Sequence, residues 1–380
     1  MDNDLLKREF PVTQDRAYLN TGTTGLVPQS ILSRVGCLLG EYYRRGPAAP
    51  EVRGRVRDQF DRARSQVADI MGAEVQEIAF LENTNEGMNA VVHGLGLQEG
   101  DEVVVTDVEH PVGRVPWEFL SRQLGIQVVV VPARDWRIGA EEVVAAFSPR
   151  TRVVSISHVS FTTSQVLPVG EICREARARG IFSLLDGAQG AGGINFSLRD
   201  LECDAYAFPG YKWLLGLEGS GALWVRRESW DQLGQYRVSL RGTETSDLDG
   251  YFEPRPGPRQ FEGSTSSPFT YITLGESAAF LAEMGLDRVA EHSARLSDEF
   301  LSGLSSVPGG RPITPADQKA GMVTFVVDGK DPAGVANYLR ESRQVIIRSV
   351  PRPSALRASF HLYNTEQDVE RLLEGLKNLP

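Results

Sequence analysis

The chain has 380 residues, 41% hydrophobic and 24% charged, with a formal net charge of −10 and a pI near 5.2; it is long enough for one large core, or for a large and a small domain. The acidic balance argues against a nucleic-acid surface, no apolar run approaches the ~20 residues that span a bilayer, and the start Met1-Asp2-Asn3-Asp4 lacks the apolar core of an export signal. Three cysteines, Cys37, Cys173 and Cys203, are too few and too scattered for a disulfide frame or a zinc site, so no metal is expected and the expected compartment is a reducing cytoplasm.

Residues 18–25, rich in Gly and Thr, read as a loop after a short strand. Helical spacing over 31–45 and 52–71 is interrupted by a Gly/Pro breaker at 46–50. A strand over 77–81 leads to Asn83, Thr84 and Asn85, which open a helix running to 93. Backbone N–H groups at such a helix start face outward beside the positive end of the dipole, which makes a phosphate site; a plain N-cap is the alternative. Strand 102–106 ends before Glu109 and His110, helix 117–124 and strand 128–131 follow, and helix 140–147 precedes strand 153–157, which ends at His158. A lone histidine at a strand end is more often a satisfied polar residue than a catalyst. After helix 169–179 come two apolar runs, one stopping at Asp186 and the other just before Pro209-Gly210-Tyr211-Lys212. Strand 221–225 closes the series. Strands alternating with helices imply βαβ units and a mostly parallel sheet. The segment 241–259 reads as a long irregular connection at the mouth of a site. Alternation then breaks at 264–268. A long helix, 271–284, follows, and beyond it helix 286–304, strand 322–327, helix 332–342, strands 345–348 and 356–360 and helix 365–376 read as a separate, smaller α+β unit.

A carboxylate ending one buried strand and a lysine just past the next is an unusual pair to place in an interior, beside the crevice where open α/β sheets bind ligands. Of the 40 basic residues only Lys7, Lys212, Lys319, Lys330 and Lys377 are lysines. Lysine, unlike arginine, loses its proton and forms an imine with a carbonyl. Pyridoxal 5'-phosphate needs such a lysine and a carboxylate against its ring nitrogen, and Lys212 and Asp186 suit those roles. The bland reading is a snorkelling lysine and a capping aspartate.

With these motifs in view, the chain resembles the class V aminotransferase family of fold type I pyridoxal-phosphate enzymes, which includes cysteine desulfurases, cystine C–S lyases and isopenicillin N epimerase. The resemblance runs from Tyr18-Leu19-Asn20 to Arg357-Ala358-Ser359-Phe360 and Tyr363-Asn364-Thr365, and rests most on Asp186-Gly187-Ala188-Gln189 followed by Gly210-Tyr211-Lys212-Trp213. It implies an α/β fold with an N-terminal segment, 1–20, packing near the active site and the small domain, a large cofactor domain, 21–265, and a small α+β domain, 266–380. It further implies that Lys212 is the Schiff-base lysine, Asp186 the partner of the ring nitrogen, Gln189 a donor to the ring hydroxyl and His110 the imidazole stacked on the ring. Thr84 and Asn85 would hold the phosphate, with Tyr211 compensating for a hydroxyl that relatives place before the preceding residue. Thr265 would be a phosphate contact given by the partner subunit of a homodimer. Arg357, or Arg348 beside it, would grip the substrate α-carboxylate, with Thr23 and Phe161 on the substrate wall. Phe161 stands where many members have asparagine.

Cysteine desulfurases carry a nucleophilic cysteine in the interval that is here the compact loop 349–355, which has none. A persulfide mechanism is therefore not expected. The leading expectation is α,β-elimination from cysteine, cystine or a cysteine S-conjugate, of the kind found in antibiotic biosynthesis, giving a thiol or persulfide, pyruvate and ammonia. Decarboxylation with oxidative deamination, epimerisation and aminotransfer are the alternatives within the family. A cofactor-fold protein that has lost catalysis and serves as a scaffold is the alternative outside it.

Overall fold

Short runs of valine, leucine and alanine bury best as central strands, and in the computed structural model, which describes residues 3–315, 317 and 320–380, they form one sheet. Met1 and Asp2 of the acidic start, and Lys319, lie outside the described residues. The seven strands are ordered Ile78–Leu81, Gly221–Val225, Ala205–Pro209, Phe182–Asp186, Thr151–Ser157, Glu102–Thr106, Gln127–Val131. Gly221–Val225 runs antiparallel to both neighbours and the other pairings are parallel. The α/β class and the mostly parallel sheet are as expected.

Side chains alternate between the two faces of a strand, and each face builds its own core. Phe80, Val104, Ile156, Leu185 and Phe208 enter one cluster; Ala79, Val103, Val153, Leu184 and Ala207 enter the other, where helices Thr84–Gly94 and Pro111–Leu124 contribute Met88, Val91, Trp117 and Leu120. The first cluster is covered by helices Pro50–Met71 and Pro268–Met284, through Val67, Phe269, Ile272 and Leu281 among others.

A third cluster joins helices Leu286–Leu304, Pro332–Ser342 and Glu366–Lys377 to an antiparallel sheet of Gly310–Pro312, Met322–Val327, Ser354–Ser359 and Arg348–Pro351. Because Pro268–Met284 packs in the first cluster, we draw the boundary of the small unit at Gly285 rather than after residue 265. The N-terminal segment touches both units. Leu6 and Phe10 pack in the first cluster, while Ala17 and Leu19 pack in the third, and strand Ala17–Tyr18 pairs in parallel with Val345–Ile346.

Four local expectations are revised. The helix expected at 117–124 begins at Pro111, where a missing N–H costs nothing, and His110 caps it. The stretch expected as one strand at 345–348 divides: Val345–Ile346 goes to the N-terminal segment and Arg348–Pro351 to the small sheet. Residues 349–355 are a tight antiparallel hairpin, with Pro351 opposite Ser354, not a loop. The segment 241–259 is not irregular throughout, since Thr243–Ser246 and Phe252–Pro254 form a small hairpin. No helix among the described residues is long and apolar enough to cross a membrane.

Candidate active site

Parallel strands end on the same side, so the segments that follow them gather at one edge. Asn83, Thr84 and Asn85 follow Leu81, His110 follows Thr106, Phe161 follows Ser157, and Lys212 follows Pro209; Asp186 is itself the last residue of its strand. With Thr23, Tyr211 and Arg348 these residues line a single cleft of about 960 Å³. Ten of the expected site residues therefore converge: Thr23, Thr84, Asn85, His110, Phe161, Asp186, Tyr211, Lys212 and Arg348 on the wall, and Arg357 behind it.

Asp186 is held in register between Ser157 and Ala207. Its Oδ1 accepts a hydrogen bond from the Ala188 N–H at 2.8 Å, and its other oxygen has no partner among the described residues. Burial pushes its carboxyl up, and nearby Lys212 pulls it back. Lys212 is part-exposed as a residue, yet its amine lies deep. Burial lowers that amine to about 8, against the pull of Asp186 and helped by Arg357 and Arg348. Among the described residues the amine has no hydrogen-bond or ion-pair partner. The loop before it is fixed by backbone contact: Gly25 N–H donates to the Tyr211 carbonyl at 2.7 Å, and a Cβ on Gly25 would lie 2.0 Å from the Lys212 carbonyl oxygen.

His110 Nδ1 accepts a hydrogen bond from the Val112 N–H at 3.2 Å, capping its helix. Nε2 is thereby left to carry the proton of the neutral ring. Burial lowers the imidazole to about 4, with Lys212, Arg348 and Arg357 adding to the effect, so the ring is neutral at physiological pH. The Thr84–Gly94 helix is capped by Asn83, whose side chain accepts from the Glu86 N–H at 3.0 Å. The N–H groups of Thr84 and Asn85 at the first turn are not used by that cap.

The small unit brings the cations. Arg348 and Arg357 stand directly opposite each other on adjacent strands of the hairpin. Both donate to Thr23 Oγ1, at 3.3 and 3.4 Å, and Arg357 Nη1 donates to the Phe161 carbonyl at 3.4 Å. Arg357 is fully buried and its Nε has no acceptor. Burial, then Arg348, lowers its guanidinium to about 9. Neither arginine has a carboxylate within ion-pair distance among the described residues.

Two expected residues do not reach this cleft. Gln189 is buried, its Nε2 donating to the Gly22 carbonyl at 3.0 Å while its Oε1 accepts from Trp213 Nε1 at 2.8 Å. That amide ties the N-terminal loop to the Lys212 segment instead of lining the wall. Thr265, in a left-handed conformation at φ +61°, lies in a separate cleft with Arg237, Ser239 and Tyr271. One residue was not singled out beforehand: Glu109 is part-exposed, but its carboxyl lies deep beside Asp186, accepts from the hydroxyls of Thr106 and Ser157, and is pushed by burial up to about 7. Its place one residue before His110 was the available signal.

A family model described as aminotransferase class-V matches residues 17–372. The chain belongs to that family. A probable cysteine desulfurase of Methanothermobacter thermautotrophicus is 30% identical, over 100% of this chain and 98% of its own length. A cysteine desulfurase of Synechococcus elongatus is 29% identical over 98% of this chain, which spans 63% of that longer relative. Among solved structures, a lysine-to-alanine mutant of C-DES with glycine covalently linked to its PLP cofactor superposes with a TM-score of 0.93 at 25% identity, covering 98% of this chain and 99% of the other. The cystine C–S lyase C-DES in complex with its reaction product cysteine persulfide gives 0.92 at 26% identity, over 97% and 99%.

Proposed function

We propose that this chain is a carbon–sulfur lyase that acts by α,β-elimination on cysteine, cystine or a cysteine S-conjugate, releasing a thiol or persulfide, pyruvate and ammonia. The cofactor is pyridoxal 5'-phosphate. When bound, it spreads the negative charge that develops at the substrate α-carbon. The residues fit it: an unpartnered amine at Lys212, an unpartnered carboxylate oxygen at Asp186 and the free N–H groups of a helix start line the same cleft. Lys212 would hold it covalently, Asp186 its ring nitrogen, Thr84 and Asn85 its phosphate, and His110 its ring face, with Tyr211 alongside.

The substrate side follows from charge. Arg348 and Arg357 offer N–H groups with no acidic partner, and the Thr23 oxygen to which both donate marks where an anionic oxygen is stabilised. A substrate α-carboxylate satisfies both. The Lys212 amine, lowered to about 8, is neutral often enough at pH 7–8 to take the α-proton. His110, neutral with its Nε2 proton, would be the donor to the departing sulfur.

The observation that favours elimination over transfer of sulfur to the enzyme is the absence of any cysteine among the described residues that line the cleft. Cys37 is exposed on another surface. Cys173 and Cys203 are buried thiols, Cys173 pushed up to about 12, far from the thiolate state that attacks sulfur. Thr265, which lines a different cleft from Lys212 within one chain, is read as a phosphate contact to the second subunit of a homodimer.

The test is incubation of the holoenzyme with cysteine, cystine and a panel of S-conjugates, with thiol, persulfide and pyruvate measured. Release of pyruvate with thiol or persulfide is expected, together with loss of both products and of the lysine-bound cofactor absorbance in Lys212→Ala. Carbon dioxide release with oxygen uptake would point to oxidative deamination, and solvent deuterium at Cα without cleavage to epimerisation; either outcome replaces this reading.

A further inference from the structure

Two arginines directly opposite on adjacent strands repel each other, and a buried cation without a counterion is costly. Arg348 and Arg357 meet the first condition and Arg357, fully buried, meets the second, yet they stand together at the cleft. What the structure offers them is an aromatic ring. The Phe161 ring centroid is 4.8 Å from the Arg357 Cζ and 5.6 Å from the Arg348 Cζ. The same ring packs edge-on to His110, with centroids 4.7 Å apart and planes at 84°, and clusters with Val350 and Ala355 of the hairpin. The turn that carries it is pinned: the Thr162 and Thr163 N–H groups donate to Ser160 Oγ at 3.2 and 3.1 Å, and the Ser160 N–H donates to the Gln165 carbonyl at 2.8 Å.

A ring and a carboxylate steady a guanidinium in different ways. An acidic residue would consume its N–H donors, whereas a ring attracts the cation through its π face and accepts no conventional hydrogen bond. We infer that Phe161 is the positioning residue of the carboxylate clamp: it holds Arg348 and Arg357 side by side with no acidic partner, their side-chain donors meeting only the neutral Thr23 hydroxyl and Phe161 carbonyl among the described residues, so that the substrate α-carboxylate is the first anion they meet. The inference rests on the carboxylate reading above and deepens it. It also makes the clamp, through the His110 edge contact, mechanically continuous with the imidazole.

The experiment compares Phe161→Leu, which keeps an apolar side chain, with Phe161→Tyr, which keeps the ring. Affinity is read in the holoenzyme from perturbation of the cofactor absorbance, for an amino acid and for the matching amine that lacks the carboxylate, such as cystine and cystamine. In Phe161→Leu, affinity for the amino acid falls about tenfold, the order of two lost cation–π contacts, while that for the amine changes by less than about twofold; Phe161→Tyr stays near wild type for both. Equal losses for acid and amine, or an equal loss in Tyr and Leu, overturn the inference. Thermal melts check that Phe161→Leu folds, and Phe161→Met replaces it if it does not. If the wild type releases no thiol from any cysteine derivative, the lyase reading fails, but any other amino acid and its decarboxylated amine still read the clamp. No perturbation by any amino acid overturns both.

Discussion

Arg357 is a charge placed where stability would not put one. It is fully buried, lacks a carboxylate partner among the described residues and has an Nε without an acceptor. Replacing such a group by an apolar one of similar length removes a desolvation penalty, so Arg357→Leu should stabilise the fold, by ~1 kcal/mol or more. The same substitution should weaken binding of the amino-acid substrate about 10- to 100-fold, the range for lost charge-assisted hydrogen bonds. Chemical denaturation and a substrate titration check the two halves. A less stable variant would mean that the cation is structural. The opposition of the two effects is the usual signature of a functional site that is strained to stay ready.

Asp186 owes its place to the strand that ends with it and to the residue that follows. A Cβ on Gly187 would lie 1.9 Å from the Tyr206 ring. That ring cannot swing aside cheaply, because its hydroxyl is 3.0 Å from His158 Nδ1 and it is fully buried. Gly187→Ala should therefore cost ~3 kcal/mol or more through overpacking and displace the carboxylate beside it. The readouts are the denaturation midpoint and the retention of cofactor on gel filtration; near-native values for both would show that the ring has room to move. His158 is thereby accounted for as a packing and hydrogen-bonding residue of this element.

The whole molecule should be acid-sensitive through its histidines. Burial lowers His158 and His361 to about 3 and His110 to about 4. In the unfolded chain each takes up a proton near pH 6.5, whereas in the folded chain each does so only at the lower value. Between those values the unfolded state binds more protons, so stability falls as pH falls. Glu109 opposes this. Raised to about 7, it holds a proton in the folded state that the unfolded chain releases near 4.5, so its contribution declines as pH rises from about 4.5 to 7. Asp186 and Asp368, raised by burial, act with Glu109, and His292, lowered by burial, acts with the other histidines. Because His158 and His361 are shifted furthest, melting temperature should drop from pH 6.5 towards 4, and His158→Gln should flatten that slope. A flat profile in the wild type would show that these rings take up protons while folded.

The strand-end residues that gather at the cleft were readable from their order alone, because an apolar run that stops at Asp186 or before Lys212 already says that a polar group stands at a strand end. The family match has the same origin: short motifs whose side chains do one job each. Contacts between distant segments were not readable. That Gln189 bridges Gly22 and Trp213, that the segment after 349 folds into a hairpin placing Arg348 across from Arg357, and that helix Pro268–Met284 packs with the large core all depend on which surfaces close over which. Periodicity records how a segment divides its own faces between apolar and polar surroundings. The partner that covers an apolar face is chosen by packing across the chain, and that choice placed Phe161 between an imidazole and two guanidinium groups.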